Sequence, residues 1–201
     1  MWRFLKGLLY TAAFSAFTAA CVVLWLSPDP LYTVQEWTTG SRFWQYDRLI
    51  GDMSQKHGLD PLLLKSLVWR ESAFQPDKVG TRGERGLMQV MEPAARDWSK
   101  AEHIESFTPT DLFDPKTNLE AGAWYLRKAL ERWKEKDKPV VFALAEYNAG
   151  RTRVDRWVAE TNLADKANSD DLLGAIDFPS TRKYIEEVLR RKRFYEQRLE
   201  P

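Results

Sequence analysis

The sequence predicts an all-α fold, a helical domain preceded by one N-terminal transmembrane helix. Apolar residues recur at spacings of three and four along most of the chain, and no segment alternates apolar with polar residues for more than a few positions. One uncharged run, Leu8 to Leu26, stands apart from an otherwise polar chain, and the mean hydropathy of −0.50 averages the two.

As a helix the Leu8–Leu26 run is about 28 Å long, close to the roughly 30 Å of a bilayer core. Arg3 and Lys6 precede it, and the first charges after it are Asp29 and Glu36. The positive-inside rule then leaves the N-terminus in the cytoplasm and everything past residue 30 outside. A cleaved signal peptide is the alternative reading. Ala19, Ala20 and Cys21 resemble a lipoprotein cleavage site, but Thr18 stands where an aliphatic residue is usual. Cys21 otherwise reads as a small apolar residue of the span. Residues 31–41, with Thr38, Thr39, Gly40 and Ser41, read as a tether. The expected organisation is a membrane anchor or signal segment over 1–30, a linker over 31–41, and a helical domain over 42–201 of about 160 residues, a size that one core can support.

Within that domain, Phe43, Tyr46, Leu49, Ile50 and Met53 mark a helix that Gly58 closes. Asp60 and Pro61 form a cap and first turn for a helix to Ser72. Residues 75–86, with Pro76, Gly80, Gly83 and Gly86, are irregular. Asp114 and Pro115 repeat the cap before a helix to about Glu135, whose face carries Leu119, Gly122, Ala123, Leu126, Leu130 and Trp133. Further helices are expected over 140–149, 154–160, 170–176 and 181–199.

Composition excludes several classes. One cysteine rules out a disulfide scaffold, and with two histidines it leaves too few soft ligands for a structural zinc site. Thirty Lys and Arg against 29 Asp and Glu give a net charge of +1, with no overall drive toward nucleic acid. The run Arg190-Arg191-Lys192-Arg193 is flanked by Glu186, Glu187, Glu196 and Glu200 and reads as a solvated helix face.

One residue breaks its pattern. The stripe Leu63, Leu64, Leu67, Val68 continues at helical spacing to Glu71, where a core residue is expected. Desolvation by that face and the negative end of the helix dipole would both raise its pKa, as a general acid requires. The plain alternative is a frayed helix end with a solvated carboxylate.

After Glu71-Ser72 and Phe74 come Gly86-Leu87-Met88-Gln89 and Glu92-Pro93-Ala94-Ala95, and further on Ala145-Glu146-Tyr147-Asn148-Ala149-Gly150. This ordered set, with Asn118-Leu119, Gly122, Tyr125-Leu126, Val154, Trp157, Thr181-Arg182, Tyr184 and Val188-Leu189, resembles the lytic transglycosylase domain of the soluble type, related to goose-type lysozyme. The resemblance covers roughly residues 43–195. It implies a lysozyme-like fold and cleavage of peptidoglycan between N-acetylmuramic acid and N-acetylglucosamine, with 1,6-anhydro ends. Glu71 would be the single general acid and base, and neither metal nor cofactor would be needed. It further implies that the Tyr147 hydroxyl orients Glu71, that Gln89 and Asn148 line sugar subsites, that Met88 sits on the cleft wall, and that Ser72 and Tyr184 contribute to binding. For Met88 and Tyr184 core packing is the competing reading. Asp77, Glu84, Glu92 and Glu146 read as solvated acids. Two departures stand out: Glu146 where the family carries a small residue, and Glu92 as an extra residue before Pro93. A muramidase of the same fold and a non-catalytic wall-binding scaffold remain the rival functions. The implied location is the bacterial inner membrane with the domain in the periplasm. Glycan strands are the expected partner, and no motif names one in wall or secretion machinery.

Overall fold

The computed structural model describes residues 2–27, 29–161 and 166–199, without the side chains of residues 2–5, 8, 24, 26 and 31. It separates into two compact units, Met1–Phe43 and Trp44–Pro201. Among the described residues it is helical, with only isolated bridges and no strand.

In the first unit α1 spans Trp2–Leu26 and α2 Pro30–Thr39, followed by a 3₁₀ turn at Gly40–Phe43. Asp29 caps α2, accepting from the Tyr32 N–H at 3.1 Å, with Pro30 in the first turn. Buried Tyr32 meets buried Phe43 edge to face at 5.2 Å. The stretch expected as a tether is therefore largely helical. The expected span includes Leu8, Leu24 and Leu26, whose side chains lie outside the described residues. Among the described residues no helix is long and apolar enough to cross a membrane.

The second unit contains α3 (Asp47–His57), α4 (Pro61–Ser72), α5 (Glu92–Ala101), a 3₁₀ turn (Pro109–Phe113), α6 (Pro115–Arg132), α7 (Pro139–Ala149), α8 (Arg151–Glu160), α9 (Ser169–Ala175) and α10 (Pro179–Leu199). The expected caps operate. Asp60 accepts from the Leu62 N–H at 2.8 Å and Asp114 from the Thr117 N–H at 2.8 Å, and Gly58 ends α3 in the left-handed conformation. α7 lies at the centre, against α6, α8, α9 and α10, and Val141 to Glu146 are all buried. A helix apolar around most of its circumference is one enclosed by its neighbours. α4 packs on α10 and α3, so its stripe of Leu63, Leu64, Leu67 and Val68 is fully buried.

Three features differ from expectation. α5 and the 3₁₀ turn have no counterpart among the expected elements, because α5 buries only Ala95, Trp98 and Ser99, too few for an apolar period. The basic run of α10 is not one solvated face. Arg191 is 1% exposed with its guanidinium 4.0 Å from the Trp69 ring centre, while Lys192 pairs with Asp60 at 2.9 Å. Glu146, expected in solvent, is 3% exposed and accepts bonds from Arg132 and, at 2.8 Å, from the Trp133 indole.

Candidate active site

Glu71 follows the buried stripe of α4 and lines a cleft of about 540 Å³. The helix ends one residue later. Ala73 (φ 50°) and Phe74 (φ 61°) take the left-handed conformation in succession, and the Ala73 N–H closes on the Trp69 carbonyl at 2.8 Å. Non-glycine residues rarely adopt that conformation. Here it directs the chain into the loop over the cleft, where the Lys78 ammonium donates to the main-chain carbonyl of Glu71.

The loop is stitched from within. Arg85 forms antiparallel bridges with both Val79 and Val90. Gln89, itself left-handed at φ 49°, donates through its side-chain nitrogen to the carbonyls of Lys78 (3.1 Å) and Gly86 (2.9 Å). Buried Asn118, on the first turn of α6, holds the base of the loop with three side-chain hydrogen bonds. Its oxygen accepts from the Met88 N–H at 2.7 Å, and its nitrogen donates to the carbonyls of Arg85 (2.8 Å) and Leu112 (2.7 Å). Gly86 is required twice over: its φ is 76°, and a Cβ there would lie 2.2 Å from the Asn118 nitrogen. Met88 is interlocked in the same way with Gly122, where a Cβ would meet the Met88 sulfur at 2.4 Å.

Burial pushes the Glu71 carboxyl up to about 7, against the downward pull of the Tyr184 hydrogen bond and the charges of Arg70 and Lys78; Glu84 adds to the rise. The Tyr184 hydroxyl donates to Glu71 Oε1 at 2.5 Å. Burial, and then the charge of Glu71, raise both Tyr184 and Tyr147 well above the usual phenol range, so each stays a neutral donor. Glu84 behaves oppositely. Burial works upward on it, but its own backbone N–H and bonds from the Arg82 N–H (2.8 Å) and guanidinium (2.9 Å) hold it below the usual carboxylate range. The cleft thus presents one carboxyl group that can hold a proton near neutrality beside another that stays ionised.

Of the residues expected at a site, Glu71, Gln89, Tyr147 and Asn148 line the cleft together. Ser72, Met88 and Tyr184 do not. Ser72 is buried with its hydroxyl on the Val68 carbonyl at 3.2 Å, and Met88 is buried against Gly122. Tyr184 is 1% exposed and reaches the site through its hydrogen bond to Glu71 and its ring contact with Arg70. The orienting hydroxyl also differs from expectation. Tyr147 donates to the Met88 carbonyl at 2.9 Å, and the bond to Glu71 comes from Tyr184. Asn148 accepts from the Thr181 hydroxyl at 2.8 Å, tying α7 to α10. Among the lining residues not expected in any site role are Arg70, Lys78 and Tyr125, whose ring meets Tyr147 edge to face at 6.1 Å. Arg70 adjoins Glu71 in sequence and Tyr125 lies in a matched block, so both carried a signal by position. Among the described residues no cluster of three or more His, Cys, Asp or Glu is placed to hold a metal.

Residues 48–169 match the family described as the transglycosylase SLT domain. The soluble lytic murein transglycosylase of Escherichia coli is 32% identical over 131 residues, 65% of this chain and 20% of that protein. Membrane-bound lytic murein transglycosylase F of Desulfosudis oleivorans is 32% identical over 113 residues, 55% of this chain and 23% of that protein. The crystal structure of the 70 kDa soluble lytic transglycosylase of Escherichia coli superposes with a TM-score of 0.65 at 26% identity, covering 77% of this chain and 24% of that one. The chain thus spans about a fifth to a quarter of the length of these relatives. With the match extending over more than half of its residues, the chain belongs to the transglycosylase SLT domain family.

Proposed function

We propose that the chain is a peptidoglycan lytic transglycosylase that cuts the β-1,4 bond between N-acetylmuramic acid and N-acetylglucosamine, with Glu71 as its single general acid and base. The observation that carries this reading is the Glu71 carboxyl group, which lines a cleft and is pushed up to about 7 by burial. Protonated, it gives its proton to the glycosidic oxygen as that bond breaks. The resulting carboxylate takes a proton from the muramic 6-hydroxyl, whose oxygen bonds to the anomeric carbon. The product is a 1,6-anhydro end, water is not consumed, and Glu71 recovers its proton. Tyr184 orients the carboxyl group, while Gln89, Tyr147, Asn148 and Tyr125 form the polar and aromatic lining for the sugars.

Residues 42–201 are the proposed catalytic domain, acting outside the cytoplasm in the periplasm. The Leu8–Leu26 run is the proposed inner-membrane anchor, supported by its uncharged length and the basic residues before it. Relatives named as membrane-bound lytic murein transglycosylases make such a location reasonable. Retention in the membrane fraction after carbonate washing is expected, and full release would remove the anchor from the proposal.

Mass spectrometry of sacculi digested with the purified protein tests the reaction. Anhydro-muramic ends are expected; reducing ends would make the protein a muramidase, and binding without cleavage would make it a scaffold. Glu71→Gln, which keeps shape but not proton transfer, should lower turnover by at least about a hundredfold.

A further inference from the structure

Resting on the reading of Glu71 as the general acid, we propose that Glu187 is a positioning residue for it, acting through Arg70 and Tyr184. The carboxylate of Glu187, on α10, pairs with Arg70 Nε at 2.6 Å. The Arg70 guanidinium carbon stands 5.2 Å from the centre of the Tyr184 ring, and the Tyr184 hydroxyl donates to Glu71 Oε1 at 2.5 Å. Three contacts therefore run from α10 to α4 and back, and end on the carboxyl group.

Two consequences follow from this order. Arg70 directly precedes Glu71 and lines the same cleft, so its charge bears on the carboxyl group. A guanidinium without a counter-ion there would favour the ionised form and draw the proton off the acid. Glu187 supplies the counter-ion and holds the guanidinium against the Tyr184 ring, where the cation and the ring face attract each other. The same ion pair that neutralises Arg70 thus steadies the tyrosine that orients Glu71.

The other groups facing Glu71 are Lys78 and Glu84 from the loop, Tyr147 from α7 and Tyr184 from α10. Lys183, one turn before Glu187, stands 3.9 Å from it and is 72% exposed, which leaves Arg70 as the nearer cation.

The test is a substrate-free titration of the full-length protein by ¹³C NMR of the glutamate carboxyl carbons, with the Glu71 resonance assigned by its absence in Glu71→Gln. Glu187→Gln should lower the Glu71 midpoint by about half a unit, Arg70→Gln should raise it by a similar amount, and the double substitution should return it close to the parent value. The alkaline limb of kcat against pH should move in the same directions. An unmoved midpoint in Glu187→Gln overturns the proposal. If that variant does not fold, Arg70→Gln decides alone, and an unmoved or lowered midpoint there overturns it. Because the midpoint is read without turnover, continued cleavage by Glu71→Gln would sink the general-acid reading while leaving the effect of Glu187 on Glu71 measurable.

Discussion

A carboxyl group that titrates near 7 in the folded chain and near its ordinary 4.5 in the unfolded one holds its proton more tightly when folded. Between those values the folded state binds more protons, so its stability falls as pH rises across the window, by about 3 kcal/mol at most and less where water screens the group. Glu71→Gln removes that penalty, and its gain in melting temperature over the parent should be larger at pH 8 than at pH 5. Equal gains at both would discard burial as the cause. Tyr184→Phe deletes the one side-chain bond that lowers the Glu71 pKa. The alkaline limb of activity should therefore move upward, while kcat falls about tenfold for loss of a hydrogen bond to a charged group. The burial of Glu71 was one of two readings that the interrupted apolar stripe left open, and the motif blocks after it tipped the balance. The directions of the Ser72 and Met88 side chains could not be read, since Ser72 turns its hydroxyl back onto the Val68 carbonyl and Met88 is set by Gly122 and Asn118, distant in sequence. Burial of Glu146 was hidden for a different reason: its partners, Arg132 and Trp133, come from another helix end.

The elements that hold the cleft depend on close approaches between backbones and small residues. Gly86→Ala would force a Cβ onto the Asn118 amide at a positive φ, and a loss of about 2–4 kcal/mol is expected in urea unfolding. A loss below about 1 kcal/mol would mean that the loop base relaxes freely. The same scale explains which helices periodicity revealed. α4, α6 and α10 bury long faces and announce themselves. α5 buries a short one and does not. α2 carried a legible signal of another kind, since Asp29-Pro30 repeats the cap of Asp60-Pro61 and Asp114-Pro115, but the threonines after it argued for a tether.

At the scale of the molecule the chain divides after Phe43. A protein beginning at Trp44 is expected to unfold cooperatively by itself and to keep its cleavage of soluble glycan fragments within about twofold, because every residue assigned to the cleft lies in the second unit. Loss of cooperative unfolding in calorimetry would show that the two units fold as one. All-α class was legible because helical spacing persists along most of the chain. The clamp on Met88 bears on the timescale of the site. Its N–H is held by Asn118 and its carbonyl by Tyr147, so one peptide segment is pinned from two different helices. Deuterium can reach that amide only when α6 releases the loop. In hydrogen exchange it should rank with the slowest core amides, and any opening of the cleft to long glycan strands must then come from the tip around Gly83 and not from its base.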